Sequence, residues 1–219
     1  MSGKRSKRRA RILIVDDHPA VREALAIRID GQRDLEVCGE AADTADALRL
    51  VADLRPDLVV VDISLKTGNG IDLIKRIRDR HDRVRMLVWS MYSESLYADR
   101  ALQAGALGYI NKDQATNKIV EAIRRVLKGK VYLSEAMVER ILQRSVGETT
   151  RSPLDALADR ELEVFRLIGE GVRTIDIAER LCLSVKTVET YRDRIRHKLH
   201  LRNGTELARY ATQWVTEHE

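Results

Sequence analysis

Between residues 12 and 129 short apolar runs alternate with stretches of helical period. The runs at 12–15 (Ile-Leu-Ile-Val), 58–61 (Leu-Val-Val-Val), 86–89 (Met-Leu-Val-Trp) and 107–110 (Leu-Gly-Tyr-Ile) are nearly continuous in apolar character. Strands covered on both faces of a parallel sheet read this way. Residues 35–38 (Leu-Glu-Val-Cys) alternate instead, which predicts a half-exposed edge strand. Helical stretches fall between the strands, at 19–30, 43–54, 70–80, 93–104 and 115–128. Asp43 and Ser93 stand where an N-cap is needed, and Gly105 and Gly129 where helices stop. The alternation predicts an α/β domain with a doubly wound, five-stranded parallel sheet over residues 12–130.

The rhythm then changes. Residues 131–153 read as a linker: an amphipathic stretch (Met137, Val138, Ile141, Leu142) runs into a polar segment closed by Pro153. From Leu154 onward no strand pattern is present. Helices are predicted at 159–170, 174–181, 185–199 and 204–216, a small all-α domain over 154–219.

Composition narrows the possibilities. The 219 residues suit two small domains. No run approaches the ~18 apolar residues of a membrane span. The basic start is followed by too short an apolar run for a secretory signal, so a cytoplasmic protein is expected. Cys38 and Cys182 lie too far apart in sequence to suggest a disulfide framework or a zinc cluster, and both are expected as reduced, buried thiols. Net charge is +5, but residues 1–11 alone carry six basic side chains and no acid. The basicity therefore resides in a tail, expected as a solvated run. Residues 186–202 hold six Lys/Arg against two acids, a local patch able to meet phosphates.

Ligands of open α/β sheets bind beyond the carboxyl ends of the strands. The polar residues ending the apolar runs are therefore the informative ones: Asp16 and Asp17, Asp62, Ser90, and Lys112. Three carboxylates gathered at one rim repel unless a hard cation neutralises them, and magnesium prefers such oxygen ligands. One carboxylate can then attack a phosphoryl group while the cations balance the developing charge.

Residues 12–128 resemble a receiver domain of bacterial two-component response regulators. The resemblance rests on Ile-Val-Asp-Asp-His-Pro (14–19), Val-Val-Val-Asp-Ile-Ser-Leu (59–65), Trp-Ser-Met (89–91) and Gly-Ala-Leu-Gly-Tyr-Ile-Asn-Lys (105–112). The spacings of 45, 28 and 22 residues between Asp17, Asp62, Ser90 and Lys112 are receiver-like. By this resemblance Asp62 is the phosphoacceptor. Asp17 and Asp62 ligate magnesium directly, Asp16 acts largely through water, and the Ser64 backbone carbonyl is a third protein ligand. Ser90 and Lys112 bind the phosphoryl group, and Tyr109 swings inward with Ser90. Two positions depart from the pattern. Lys66 stands where the family usually has proline, within a turn (66–70) that Gly68, Asn69 and Gly70 still allow. Met91 is bulky beside Ser90 and is expected to slow access to the acceptor.

Residues 173–199 carry a helix-turn-helix pattern. Ser184 is a natural N-cap for its second helix. Val188, Ile195 and Leu199 form one apolar stripe, and Lys186, Thr190, Asp193 and His197 lie opposite. A solvated face on a bundle and a face that enters the DNA major groove both fit this pattern. Residues 154–213 further resemble the four-helix DNA-binding domain of the LuxR/NarL class. The carriers are residues 157–171 (Leu-Ala-Asp-Arg-Glu-Leu-Glu-Val-Phe-Arg-Leu-Ile-Gly-Glu-Gly) and 177–199 (Ile-Ala-Glu-Arg-Leu through His-Lys-Leu). The resemblance makes Lys186, Glu189, Thr190 and Asp193 candidates for base edges. It makes Thr187, Tyr191, Arg194 and Lys198 candidates for phosphates. On the last helix Leu207, Tyr210 and Trp214 form an apolar face, for subunit pairing or for the core.

Together the two resemblances identify the chain as a member of the NarL/FixJ class of response regulators. They imply a sensor histidine kinase as phosphodonor, magnesium as cofactor, double-stranded DNA as partner, a homodimer when active, and no enzymatic turnover. A receiver that works without phosphorylation and a magnesium-dependent phosphohydrolase are the competing readings.

Overall fold

The structure is a computed structural model, and it describes residues 8–113, 117–145 and 152–218. The chain folds as two compact units, Met1–Val138 and Glu139–Glu219. In the first, strands β1 (Ala10–Val15), β2 (Leu35–Ala41), β3 (Leu58–Val61), β4 (Arg85–Ser90) and β5 (Tyr109–Asn111) form one sheet in the order β2-β1-β3-β4-β5. Every pairing is parallel. Helices α1 (Pro19–Asp30), α2 (Thr44–Leu54), α3 (Gly70–Arg80), α4 (Glu94–Ala104) and α5 (Asn117–Leu127) make the crossovers. The predicted start of the last of these falls on residues 115 and 116, outside the described residues.

Alternation along the strands splits the core into two layers. Ile12, Ile14, Val60, Leu87 and Trp89 pack against Leu25 and Ile29 of α1 and Ile119, Ile123 and Val126 of α5. Leu13, Val59, Val61 and Val88 point to the other face and are fully buried there. Both faces are covered, so the central strands are apolar without a break. The edge strand β2 keeps its middle residues half-buried, as its alternating sequence predicts.

Local signals explain the helix limits. The Asp43 carboxylate caps α2 by accepting from Asp46 N–H at 2.9 Å, a contact worth about 1 kcal/mol. Ser93 precedes α4 but does not cap it; its hydroxyl pairs with Ser95 Oγ at 2.7 Å. The neighbouring hydroxyl is a competing partner that a cap rule does not see. Gly105 ends α4 at φ +122, a conformation that side-chain-bearing residues rarely adopt.

The segment after α5 is tied to the sheet. Tyr132 N–H donates to Leu107 O and Tyr109 N–H donates to Tyr132 O, both at 2.9 Å, so Gly108 and Tyr132 form a parallel bridge along β5. Helix α6 (Glu135–Ser145) follows, with Met137 buried. The expected linker thus begins with residues that close the free edge of β5. Its polar stretch at 146–151 lies outside the described residues, as does the tail at 1–7.

The second unit is helical. A short 3-10 turn (Pro153–Ala156) opens it, capped by Ser152. Helices α7 (Asp159–Gly169), α8 (Thr174–Arg180), α9 (Val185–Lys198) and α10 (Gly204–His218) follow. Phe165 on α7 meets the rings of Tyr210 and Trp214 with centroids 5.8 and 6.2 Å away. Leu207 and Ala211 are buried beside them. The apolar face of α10 therefore packs into its own domain. Cys182 is exposed at φ +51 in the turn between α8 and α9. This corrects the expectation of two buried thiols: the left-handed turn carries its side chain outward. Cys38 is half-buried on β2, where burial pushes its thiol pKa up.

Candidate functional site

The strand order reverses between β1 and β3, and crevices form at such switch points. Asp16 and Asp17 follow β1, and Asp62 follows β3. Backbone pairing fixes the two strand ends together, with Asp62 N–H donating to Val15 O at 2.8 Å. Asp16 and Asp62 are buried, at 1 % and 4 % exposure. Between them lies Lys112, whose Nζ donates to Asp16 Oδ2 and to Asp62 Oδ2 at 2.6 Å each. Lys112 is placed by β5: its amide donates to Ser90 O at 2.8 Å, and its ammonium stands 5.4 Å from the Trp89 ring centre.

The electrostatics follow from this packing. Burial pushes the Asp62 carboxyl pKa up; the charge of Lys112 and the Ser90 hydroxyl pull it back, and Asp16 adds to the rise. Burial works to lower the Lys112 pKa, but the charge of Asp62 and the hydrogen bonds to both carboxylates outweigh it and raise it. Removing one member of such a buried cluster leaves uncompensated charge, at a cost of about 3–5 kcal/mol.

Asp17 supplies the clearest sign of a cation site. Its Oδ1 is sequestered from solvent, with the His18 ring nitrogen 2.8 Å away. Oxygen atoms of Asp16, Asp17 and Asp62 and a ring nitrogen of His18 lie within 4.8 Å of one another. This donor set, with one carboxylate oxygen sequestered from solvent, fits a hard divalent cation. Ser64 is held beside Asp62, its N–H donating to Asp62 Oδ1 at 3.4 Å. His18 is the neighbour that sequence reasoning missed. Its backbone N–H donates to Asp16 Oδ1 at 2.9 Å, and its Nδ1 stands 2.8 Å from Asp17 Oδ1. The only signal for it was its place directly after the two aspartates. Arg22 was also unforeseen; it donates to Asp16 O at 2.6 Å and steadies the loop.

Ser90 is fully buried at the end of β4. Tyr109 is buried already, and its hydroxyl donates to Tyr92 O at 2.8 Å. Burial raises its phenol pKa well above the ordinary value. Met91 is 57 % exposed, next to Ser90. The turn after Asp62 is held without the proline usual in the family. Thr44 Oγ1 donates to Thr67 O at 2.9 Å, Asn69 caps α3 by accepting from Ile71 N–H at 2.8 Å, and Gly70 N–H donates to Ile63 O at 2.8 Å. Gly70 is required there: a Cβ would sit 2.1 Å from Asp62 O.

In the second unit Ser184 caps α9, accepting from Thr187 N–H at 3.0 Å. Val188 and Ile195 are buried, and Leu199 is half-buried just beyond the helix. Lys186, Glu189, Thr190, Asp193, Arg194, His197 and Lys198 are exposed, whereas Thr187 and Tyr191 are half-buried. Some of these groups have work inside the domain. The Thr187 hydroxyl pairs with Ser184 Oγ at 2.8 Å, and Thr190 Oγ1 donates to Lys186 O at 2.9 Å. Lys198 Nζ donates to the buried Glu161 at 2.6 Å. Glu161 also accepts from Ala158 N–H at 2.8 Å, so Lys198 ties the end of α9 to the start of α7.

Comparison with known proteins matches both halves. Residues 12–124 match the response regulator receiver domain, and residues 155–211 match the bacterial regulatory proteins of the luxR family. The chain is 34% identical over 208 residues to the oxygen regulatory protein NreC of Staphylococcus haemolyticus (strain JCSC1435), covering 92% of this chain and 96% of that protein. It is 35% identical over 208 residues to NreC of Staphylococcus aureus (strain JH9), with the same coverage. A solved LuxR-family two-component response regulator from Aurantimonas sp. SI85-9A1 is 36% identical with a TM-score of 0.59, over 63% of this chain and 99% of that one. RcsB of Salmonella enterica serovar Typhimurium, bound to promoter rprA in the presence of phosphomimetic BeF3-, is 25% identical with a TM-score of 0.63, over 93% of this chain and 98% of that one. The chain belongs to the two-component response regulators that join a receiver domain to a LuxR-type DNA-binding helix-turn-helix.

Proposed function

We propose that Asp62 is the phosphoacceptor of a receiver spanning residues 12–130, and that its phosphorylation by a sensor histidine kinase controls dimerisation and DNA binding by residues 154–219. The observation that carries this reading is the buried Asp16–Lys112–Asp62 cluster at the switch point, with the sequestered Asp17 oxygen beside it. Asp16, Asp17 and Asp62, with the Ser64 carbonyl, would hold magnesium. Bound there, the ion neutralises the carboxylates and the charge on phosphoryl oxygens. The Asp62 carboxylate attacks phosphorus, the bond to the donor imidazole breaks, and the imidazole leaves with the electron pair. Lys112 and Ser90 then pair with phosphoryl oxygens, and Tyr109 answers the move of Ser90. A doubly charged group biases such a switch only through contacts it makes better in one state.

On α9, Lys186, Glu189, Thr190 and Asp193 reach base edges, and Thr187, Tyr191 and Arg194 meet phosphates. Lys198 joins them with the donors left by Glu161. Two half-sites about one helical turn apart suit a two-fold dimer. The protein works in the cytoplasm as a regulator rather than an enzyme; among the described residues no helix is long and apolar enough to cross a membrane.

The test is intact mass after incubation with magnesium and acetyl phosphate. The wild type gains one phosphoryl group and Asp62→Ala gains none. A wild type that stays unlabelled by both acetyl phosphate and a cognate kinase sinks the reading and favours a phosphorylation-independent receiver. Turnover of phosphomonoesters would instead favour a hydrolase.

A further inference from the structure

At the end of the sheet opposite Asp62, the segments entering three neighbouring strands bring arginines together. Arg11 lies at the start of β1, Arg55 precedes β3, and Arg83 and Arg85 lead into β4. With Arg8, and with Arg80 at the end of α3, they line an open cleft of about 800 Å3. Val51, Leu54, Pro56 and Val84 supply apolar surface within it. Arg83 and Arg85 also line an adjoining groove of about 530 Å3.

Part of this charge has structural work. Asp57 accepts the Arg11 amide at 2.8 Å and lies 3.8 Å from Arg8, and the Arg11 guanidinium donates to the Leu54 carbonyl at the end of α2. Asp53 turns to Arg49 at 3.5 Å. The side chains of Arg55, Arg80, Arg83 and Arg85, by contrast, make no hydrogen bond or ion pair among the described residues. Asp82 is the remaining carboxylate in the lining. Arg55 is notable in its backbone too. It ends α2 at φ 48, in the left-handed region, where glycine is the relaxed choice. A long cation is held there despite that cost.

We propose that this cleft binds a small polyphosphate anion, two or more linked phosphates, free or carried on a nucleoside. Its volume lies in the ~300–1,000 Å3 range of small-ligand sites. Guanidinium forks match phosphate oxygens two at a time. A concave site of this size suits a compact anion better than a duplex, which needs a long open strip of charge. The site shares no residue with the phosphoacceptor cluster, so it stands whether or not Asp62 is phosphorylated.

Calorimetric titration of the full chain, in magnesium-free buffer of low salt, tests it with sodium tripolyphosphate, ATP and orthophosphate as probes. Tripolyphosphate and ATP bind at one site, and orthophosphate binds at least about tenfold more weakly. The double variant Arg55→Gln, Arg83→Gln lowers tripolyphosphate affinity at least about tenfold with an unchanged melting temperature. Arg80→Gln, on a separate helix, lowers it as well. Lys186→Ala combined with Arg194→Ala keeps the wild-type affinity for tripolyphosphate. Tighter binding of ATP than of tripolyphosphate places the nucleoside on the apolar floor; equal binding assigns the site to the phosphate chain, and both support the proposal. Absence of binding overturns it, as does affinity unchanged in all the cleft variants. Loss of binding in the Lys186/Arg194 variant overturns it by locating the anion on α9. Displacement of tripolyphosphate by DNA of unrelated sequence, through the cleft arginines, overturns it in favour of a nucleic-acid surface.

Discussion

Lys112 stands at the proposed phosphoacceptor, shared by two carboxylates. On the proposed function, its neighbours set how fast the site is reached. Met91 follows Ser90 and is exposed, so its thioether side chain stands free beside the rim. Met91→Ala is expected to speed dephosphorylation of the phosphorylated protein severalfold; release of labelled phosphate at the wild-type rate would rule out a gating role. At this scale the sequence was informative where a polar residue ends an apolar run, as at Asp17, Asp62, Ser90 and Lys112. It was silent where side-chain direction decides. Nothing in the spacing announces that Lys198 turns back to Glu161, 37 residues earlier, at 2.6 Å. Nor does the exposed His18 declare itself part of the acidic cluster, because only the bend after β1 brings its ring to Asp17.

Elements were legible in proportion to how far their own residues determine them. The four continuous apolar runs became the four inner and far-edge strands, and the alternating run became the edge strand β2. The face of α10 was open to two readings, because an apolar stripe does not name what covers it. Packing against Phe165 covers part of that face within the domain, and Gly169 shows how closely the two helices approach. A Cβ at Gly169 would lie 2.5 Å from Ala211 O. Gly169→Ala therefore forces α7 and α10 apart and should destabilise the helical unit by about 1–3 kcal/mol. Urea unfolding followed by Trp214 fluorescence checks this, and an unchanged midpoint would mean that the helices can shift without strain. On α9 the proposed contributions divide by partner. Losing Arg194, which is exposed, is expected to weaken DNA binding at every sequence and reduce the salt slope by about one. Binding isotherms at several salt concentrations measure it; a loss confined to one operator would assign Arg194 to a base instead.

At the scale of the whole molecule, two units with separate cores are joined through a stretch whose first residues belong to the sheet. Tyr132 occupies the outer side of β5, and Ser134 N–H donates to Glu94 on α4 at 2.9 Å. The polar residues at 146–151 carry a linker signal in the sequence, whereas the docking of 131–134 carries none, since backbone pairing leaves no mark on composition. The same feature decides where the gene can be cut. A fragment ending at Lys130 discards the strip that satisfies the outer amide of Tyr109, uncovering an unpaired strand edge of the kind that recruits other chains. A fragment ending at Val138 keeps it. Light scattering of the two fragments should find the shorter one self-associating and the longer one not. For anyone wishing to transplant this receiver onto another output domain, the graft point lies on the far side of Tyr132, not at the end of the last receiver helix.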